Sequence, residues 1–163
     1  MWSTATGLAG RSPQHIGFVV ADLDAALADL SSAGGIPVSS PLTLDLGEGD
    51  LDLGGPARLR LGFAMLGGLM AEFIAPQEGP NVWSRALRER GPGLHHVAFT
   101  EIENYGELVH SLIGSGFEMS AAGQFAEDHW CYLERGPLVI ELTSGVGPAG
   151  RYDPGISGSP DAQ

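Results

Sequence analysis

The sequence contains no lysine: its eight cationic side chains are all arginine, against 20 acidic residues, and the formal net charge is -12. A chain so short of cations has little with which to neutralise a phosphate backbone or an anionic bilayer, which excludes nucleic acid and membrane surfaces as partners. The acidic excess serves solubility. Absent lysine beside abundant Gly, Ala and Arg fits the codon bias of a GC-rich genome and has no bearing on mechanism. Cysteine is nearly absent too. Cys131 stands alone, so no intramolecular disulfide can form, and with no activating neighbour in its strand-like stretch it reads as a small buried residue. There is no apolar run of about 18 residues and no basic-then-apolar leader, so neither a membrane span nor a secretory signal is expected and the protein is expected to be cytoplasmic. With 163 residues, 43% of them hydrophobic, the chain can bury one core and reads as a single domain.

Residues 1–12 are small, polar and without period, and read as a flexible arm; 146–163, rich in Gly, Pro and Ser, read as a flexible tail. Between them lies a domain over 13–145. Its first module, 13–78, is expected to hold a strand over 14–20, a helix capped by Asp22 and stopped by Gly34-Gly35, and strands over 42–46, 59–66 and 69–74, with the Gly/Asp-rich 47–56 as an exposed loop. A linker over 79–92 carries an amphipathic helix at 82–90. The second module, 93–145, repeats the order: strand 94–99, helix about 103–113, then strands near 117–119, 129–133 and 138–143. His15 to Leu27 and His96 to Leu108 both span 12 residues, which keeps the halves in register. The intervals His15 to Glu72 and His96 to Glu141 are 57 and 45 residues. The difference falls in the loop-rich 39–58, where insertion costs little.

Each half therefore supplies one histidine at the start of a strand and one glutamate in a later apolar strand. Strand alternation places His15 with Gly17 and Val19, His96 with Ala98 and Thr100, Glu72 with Met70 and Ile74, and Glu141 with Val139 and Thr143. Ile16, Phe18, Val97 and Phe99 face the other way, toward the helices. A carboxylate among apolar neighbours is costly unless it is paired or coordinates a metal. Two imidazoles and two carboxylates are a suitable set for a borderline divalent cation, with positions left for substrate or water. Zn, Co, Ni, Mn and Fe all fit that set. His95, one residue from His96, is expected to point to the opposite face and to be structural. His110 reads as solvated on its helix, and His129 with Trp130 and Tyr132 as candidates for the cavity mouth. Asp45, Glu48, Asp50 and Asp52 read as a solvated loop.

On the stretches His15 to Asp24, Ala71-Glu72-Phe73-Ile74-Ala75-Pro76, Gly93-Leu94-His95-His96-Val97-Ala98-Phe99 and Val139-Ile140-Glu141-Leu142, the chain resembles the vicinal oxygen chelate superfamily, closest to its methylmalonyl-CoA epimerase-like branch. The resemblance covers residues 14–144. It implies an α+β fold of two paired βαβββ modules around one central cavity, and a metal held by His15, Glu72, His96 and Glu141. Two departures bear on substrate. Epimerases usually carry Gln where this chain has Glu72, and glyoxalase I holds glutathione with an arginine where this chain has Val19. The resemblance further implies a small-molecule carbonyl substrate and an isomerase or epimerase that removes a proton beside a carbonyl polarised by the metal, with Glu141 as base and Glu72 returning the proton. A second base could come from the acidic loop around Asp45 to Asp52. The alternatives are a glyoxalase-type lyase, an extradiol-type dioxygenase, and a metal-free small-molecule binding or resistance protein; a homodimer is the one assembly left open.

Overall fold

The computed structural model describes residues 7–33, 35–47 and 50–150. Strand β1 (His15–Val19) leads into α1 (Leu23–Ser32), whose first turn is capped by Asp22 accepting from the Ala25 amide at 3.0 Å. Strands β2 (Leu42–Leu46), β3 (Leu51–Leu53), β4 (Ala57–Leu66) and β5 (Leu69–Glu78) complete the first half. Helix α2 (Val82–Arg90) follows, started by a reciprocal Asn81–Ser84 capping box. The second half comprises β6 (Gly93–Phe99), α3 (Tyr105–Gly114), β7 (Glu118–Phe125), β8 (Asp128–Arg135), β9 (Leu138–Thr143) and the short α4 (Gly147–Gly150). Among the described residues no helix is long and apolar enough to cross a membrane.

All nine strands join one sheet in the order β2-β4-β5-β1-β6-β9-β8-β7-β3. Strand β1 runs parallel to β5, β6 runs parallel to β9, and β1 and β6 meet antiparallel at the centre. The two halves are thus one βαβββ plan used twice and joined through their first strands, the α+β architecture expected from the repeat. One outer face of the sheet is covered by α1, where Leu23 and Leu27 pack with Ala64, Ala71 and Phe73. Gly62 makes room for this: a Cβ there would lie 2.7 Å from Leu27 Cδ1. The other is covered from α3, where Leu108 packs with Cys131, Leu133, Ile140 and Leu142. Cys131 is fully buried, as its apolar setting implied. The inner face is left to a separate aromatic-rich cluster containing Phe63, Trp83, Trp130 and Tyr132.

Strand β3 corrects the expectation of an exposed loop over 47–56. Leu51 and Leu53 pair with Gly123 and Ala122 on β7, so an insertion in the first half extends the sheet edge of the second. Glycine at 123 lets the chains approach, and the Gln124 amide donates to Asp50 O at 2.9 Å. The pairing is non-local, and the Gly/Asp composition around it carries no strand signal. For the same reason β7 runs well beyond the expected 117–119: small residues such as Ser120, Ala121 and Ala122 have weak intrinsic preference and are held by partners on both sides. Glu48 and Gly34, the latter an expected helix stop, lie outside the described residues, as do 1–6 and 151–163. At the ends of the description, Leu8 packs on the α3 cluster and Ala149 is buried in the inner one, so packing extends into both segments read as free from sequence.

Candidate metal centre

The four central strands, β5, β1, β6 and β9, each contribute one donor: Glu72, His15, His96 and Glu141. Register brings them together. Gly17 lies opposite Glu72 on one side and His96 on the other, and Ala98 lies opposite His15 and Glu141. A small residue therefore occupies each position between donors, and the imidazole and carboxylate tips converge over it. At Gly17 a methyl group would coincide with the His96 ring.

All four side chains are buried, with residue exposures of 2% for His15, 6% for Glu72, 1% for His96 and 7% for Glu141. Their donor atoms lie within 4.8 Å of one another. The Nε2 atoms of His15 and His96 are 3.1 Å apart. Glu141 Oε2 is 3.0 Å from His96 Nε2 and 3.8 Å from His15 Nε2, while Glu72 Oε2 is 3.6 and 3.5 Å from the same atoms. Ligands about 2.1 Å from a shared ion stand about 3.0 Å apart at right angles and about 3.4 Å apart in a tetrahedron. The 3.0 and 3.1 Å separations fall in that range and the other three, at 3.5–3.8 Å, are slightly wider, and the N2O2 donor chemistry suits a borderline divalent cation. The residues present fit the group.

The outward nitrogens are also engaged. His15 Nδ1 is 2.7 Å from the Gln14 side-chain oxygen, so its Nδ1–H donates there and Nε2 keeps its lone pair for the centre. His96 Nδ1 is 3.0 Å from His95 Nδ1. This contact overturns the expectation that His95 faces away. Strands β1 and β6 slip register between Gly17 and Phe18, which pair with His96 and Leu94 and leave His95 as the extra residue of a bulge. The bulge turns the His95 ring inward, 5.2 Å from the Tyr132 ring, and the side chain is buried. Strict alternation cannot show such a slip.

A proton is the alternative occupant of the same cluster. Burial alone would lower the His15 pKa, but hydrogen bonding to Glu141 and Glu72 and their charges raise it from 6.5 to about 10. Glu141 is held well below the usual carboxylate range: burial opposes this, and the His96 charge and hydrogen bonds from both histidines outweigh it. Burial and the adjacent His96 lower His95 to about 3, which keeps it neutral and able to accept the His96 Nδ1–H. A raised imidazolium pKa stabilises the fold fully below the unfolded value near 6.5, and that contribution disappears as pH rises through about 10. Chelator-treated protein is therefore expected to lose melting temperature progressively between pH 6.5 and 10, while protein loaded with a divalent ion is expected to lose less. Equal pH profiles for the two forms would contradict the protonated-cluster picture.

A pocket adjoins the donors. Leu44, Leu46, Trp83, Phe125, Trp130 and Tyr132 contribute to its wall, and of the four donors only Glu141 lines it. Trp83 Nε1–H donates to the Tyr132 hydroxyl at 3.2 Å, on the same pocket wall as Glu141. Burial and the two glutamates push the Tyr132 pKa well above 10, so the hydroxyl stays protonated. Trp130 and Tyr132 thus line the cavity as expected. His129 does not: it lies on the opposite parity of β8, exposed, with Nδ1 3.2 Å from Gln124 Nε2. His110 is exposed on α3. Asp45 pairs with Arg58 at 2.9 Å, Asp50 accepts from the Gly47 amide, and Asp52 is exposed, so these three acids of the early loop are all turned away from the donors. Trp83 on α2, and Gln14 and His95 behind the donors, escaped sequence reasoning. The Gln14-His15 and His95-His96 neighbours were the available signal.

The model of the Glyoxalase/Bleomycin resistance protein/Dioxygenase superfamily matches residues 14–132. Among solved structures, methylmalonyl-CoA epimerase from Mycobacterium tuberculosis is similar at 22% identity and TM-score 0.59, covering 80% of this chain and 85% of that one. A hypothetical protein from Bacillus halodurans C-125 is similar at 19% identity and TM-score 0.57, covering 81% and 92%. A variant of the Streptomyces coelicolor methylmalonyl-CoA epimerase, in complex with 2-nitronate-propionyl-CoA, is similar at 16% identity and TM-score 0.59, covering 82% and 96%. No curated protein matches the sequence. At these identities the structural likeness speaks for the fold. With a family match over most of its length and the paired-module sheet, the chain belongs to the Glyoxalase/Bleomycin resistance protein/Dioxygenase superfamily.

Proposed function

We propose that this protein is a divalent-metal-dependent isomerase or epimerase that abstracts a proton beside the carbonyl of a small-molecule substrate. The observation that carries the reading is the division between the two glutamates: both are buried with the histidines, but only Glu141 also faces the pocket. A divalent ion held by His15, Glu72, His96 and Glu141 would polarise the substrate carbonyl and so acidify the adjacent C–H bond. Glu141 is then the base, since it is ionised and its carboxylate borders the space where that carbon would lie. Glu72, outside the pocket wall, serves chiefly to hold the ion. Tyr132, kept protonated by burial and the nearby glutamates, lines the same pocket and adds to its aromatic wall. The aromatic wall excludes bulk water, which strengthens the charge interactions within.

Two measurements test this. Metal analysis of untagged protein is expected to give about one divalent ion per chain, and carbonyl substrates incubated with it in deuterated water are expected to gain deuterium beside the carbonyl. Protein free of metal and without exchange on any carbonyl compound would favour the binding-protein alternative. The support behind His96 is open to a separate check. Removing the acceptor in His95→Ala frees the His96 ring to rotate and is expected to weaken metal affinity about 10- to 100-fold while stoichiometry at saturation stays at one. Unchanged affinity would return His95 to a packing role.

A further inference from the structure

The pocket beside Glu141 is walled by Leu44, Leu46, Trp83, Phe125, Trp130 and Tyr132, with no arginine in its lining. Three of its rings form a corner: Trp83 and Tyr132 meet edge-on at 5.8 Å, Trp130 and Tyr132 edge-on at 5.4 Å, and Trp83 and Trp130 lie 6.1 Å apart. The Trp83 indole N–H is already given to Tyr132. Such a wall offers ring faces and edges, and polar character only at Glu141 and Tyr132. A charged or strongly hydrated group placed there would lose its water without replacement.

The described arginines lie outside this lining: Arg11 and Arg90 are exposed on the surface, and the other five are engaged elsewhere. Arg58 and Arg60 alternate on β4 with the inward Leu59, and they pair with Asp45 and Asp24 at 2.9 Å. Arg85 and Arg88 on α2 pair with Glu134 and Glu89 at 3.2 and 3.3 Å. Arg135 donates to Ser115 O at 2.8 Å. With a formal net charge of -12, the surrounding field also disfavours a polyanion. We propose that the substrate is an uncharged carbonyl compound carrying an aromatic or alicyclic ring, the ring seated against Trp83, Trp130 and Tyr132 and the carbonyl turned to the donors, and that it is not a coenzyme A thioester. The inference rests on the proton-abstraction reading for its chemistry, but its binding component stands apart. In the step itself the C–H bond beside the carbonyl breaks, its proton passes to the Glu141 carboxylate and its electron pair moves into the carbonyl; return of a solvent-derived proton restores the starting charges.

The experiment uses the full-length, metal-loaded protein, with 2-hydroxyacetophenone and propionyl-CoA as probes, binding read by calorimetry and exchange read by deuterium incorporation. The variant Leu44→Asp places a carboxylate in the pocket wall on an edge strand, where the residue is only half-buried at the margin of the inner cluster. The expected result is saturable binding of 2-hydroxyacetophenone with deuterium entering its methylene group, binding weakened about tenfold or more in Leu44→Asp, and propionyl-CoA inert. Ketone binding that Leu44→Asp weakens, without exchange, would uphold the ligand class and overturn the proton-abstraction reading. Exchange on propionyl-CoA faster than on the ketone would do the reverse. Ketone that does not bind, or that binds Leu44→Asp equally well, overturns the inference outright.

Discussion

Glu141→Gln is expected to reduce deuterium exchange beside a substrate carbonyl by about 100- to 10,000-fold, the range that a positioned general base contributes. Glutamine matches glutamate in size and keeps one carbonyl oxygen, so the Thr143 hydroxyl, 3.3 Å from Glu141 Oε1, still has an acceptor within reach and the fold is little disturbed. What is lost is the capacity to take a proton in the pocket. The paired variant Glu72→Gln separates the roles. Glu72 is buried with the same histidines yet does not line the pocket, so its glutamine variant is expected to retain metal and a large part of the exchange. Exchange surviving in Glu141→Gln and vanishing in Glu72→Gln would reverse the assignment. Survival in both would place the base elsewhere, and the outward orientation of Asp45, Asp50 and Asp52 leaves the early loop a poor source.

The second large effect needs no change to any donor. In Gly17→Ala the added methyl group falls on the His96 ring, so either the imidazole leaves the centre or β1 and β6 separate at the point where Gly17 pairs with His96. Divalent-ion affinity is expected to fall about 100-fold or more, since displacing a ligand costs at least as much as removing its outer support. Gly106→Ala is the control. No atom lies within 4 Å of a Cβ at that helical position, and alanine favours a helix by about 1 kcal/mol over glycine. Metal titration and a melting curve on both proteins suffice. Full-affinity binding by Gly17→Ala would mean that the His96 ring is not held over Gly17 in solution.

Much of this architecture was legible in the residues. The equal spacing from His15 to Leu27 and from His96 to Leu108 exposed the repeat. Alternation identified the inward donors because a strand with one covered face permits only one register for its apolar set. Helix α2 could be read to its ends, since Asn81 and Gly91 mark them with local capping chemistry. Other features depended on partners distant in sequence. Strand β3 exists because β7 offers an edge to it, and nothing in Leu51-Asp52-Leu53 names that partner. His95 faces inward because β6 carries one residue more than β1 at that point, and a count along a single strand cannot reveal a bulge that two strands create together.

The sequence by itself determined the pieces that local chemistry settles: two matched halves, one histidine and one glutamate on the inward face of each, and a strongly acidic composition. Periodicity and composition suffice for these because each depends on a residue and its near neighbours. Tertiary structure alone decided how the pieces meet. Pairing β1 with β6 at the sheet centre brings donors 81 residues apart to 3.1 Å. Packing of α2 on the inner cluster assembles Trp83, Trp130 and Tyr132 into one wall, which Glu141, and not Glu72, faces. Which of two equivalent carboxylates borders the pocket is a property of the packed halves. It depends on contacts between residues far apart in the chain, to which no single strand's pattern refers.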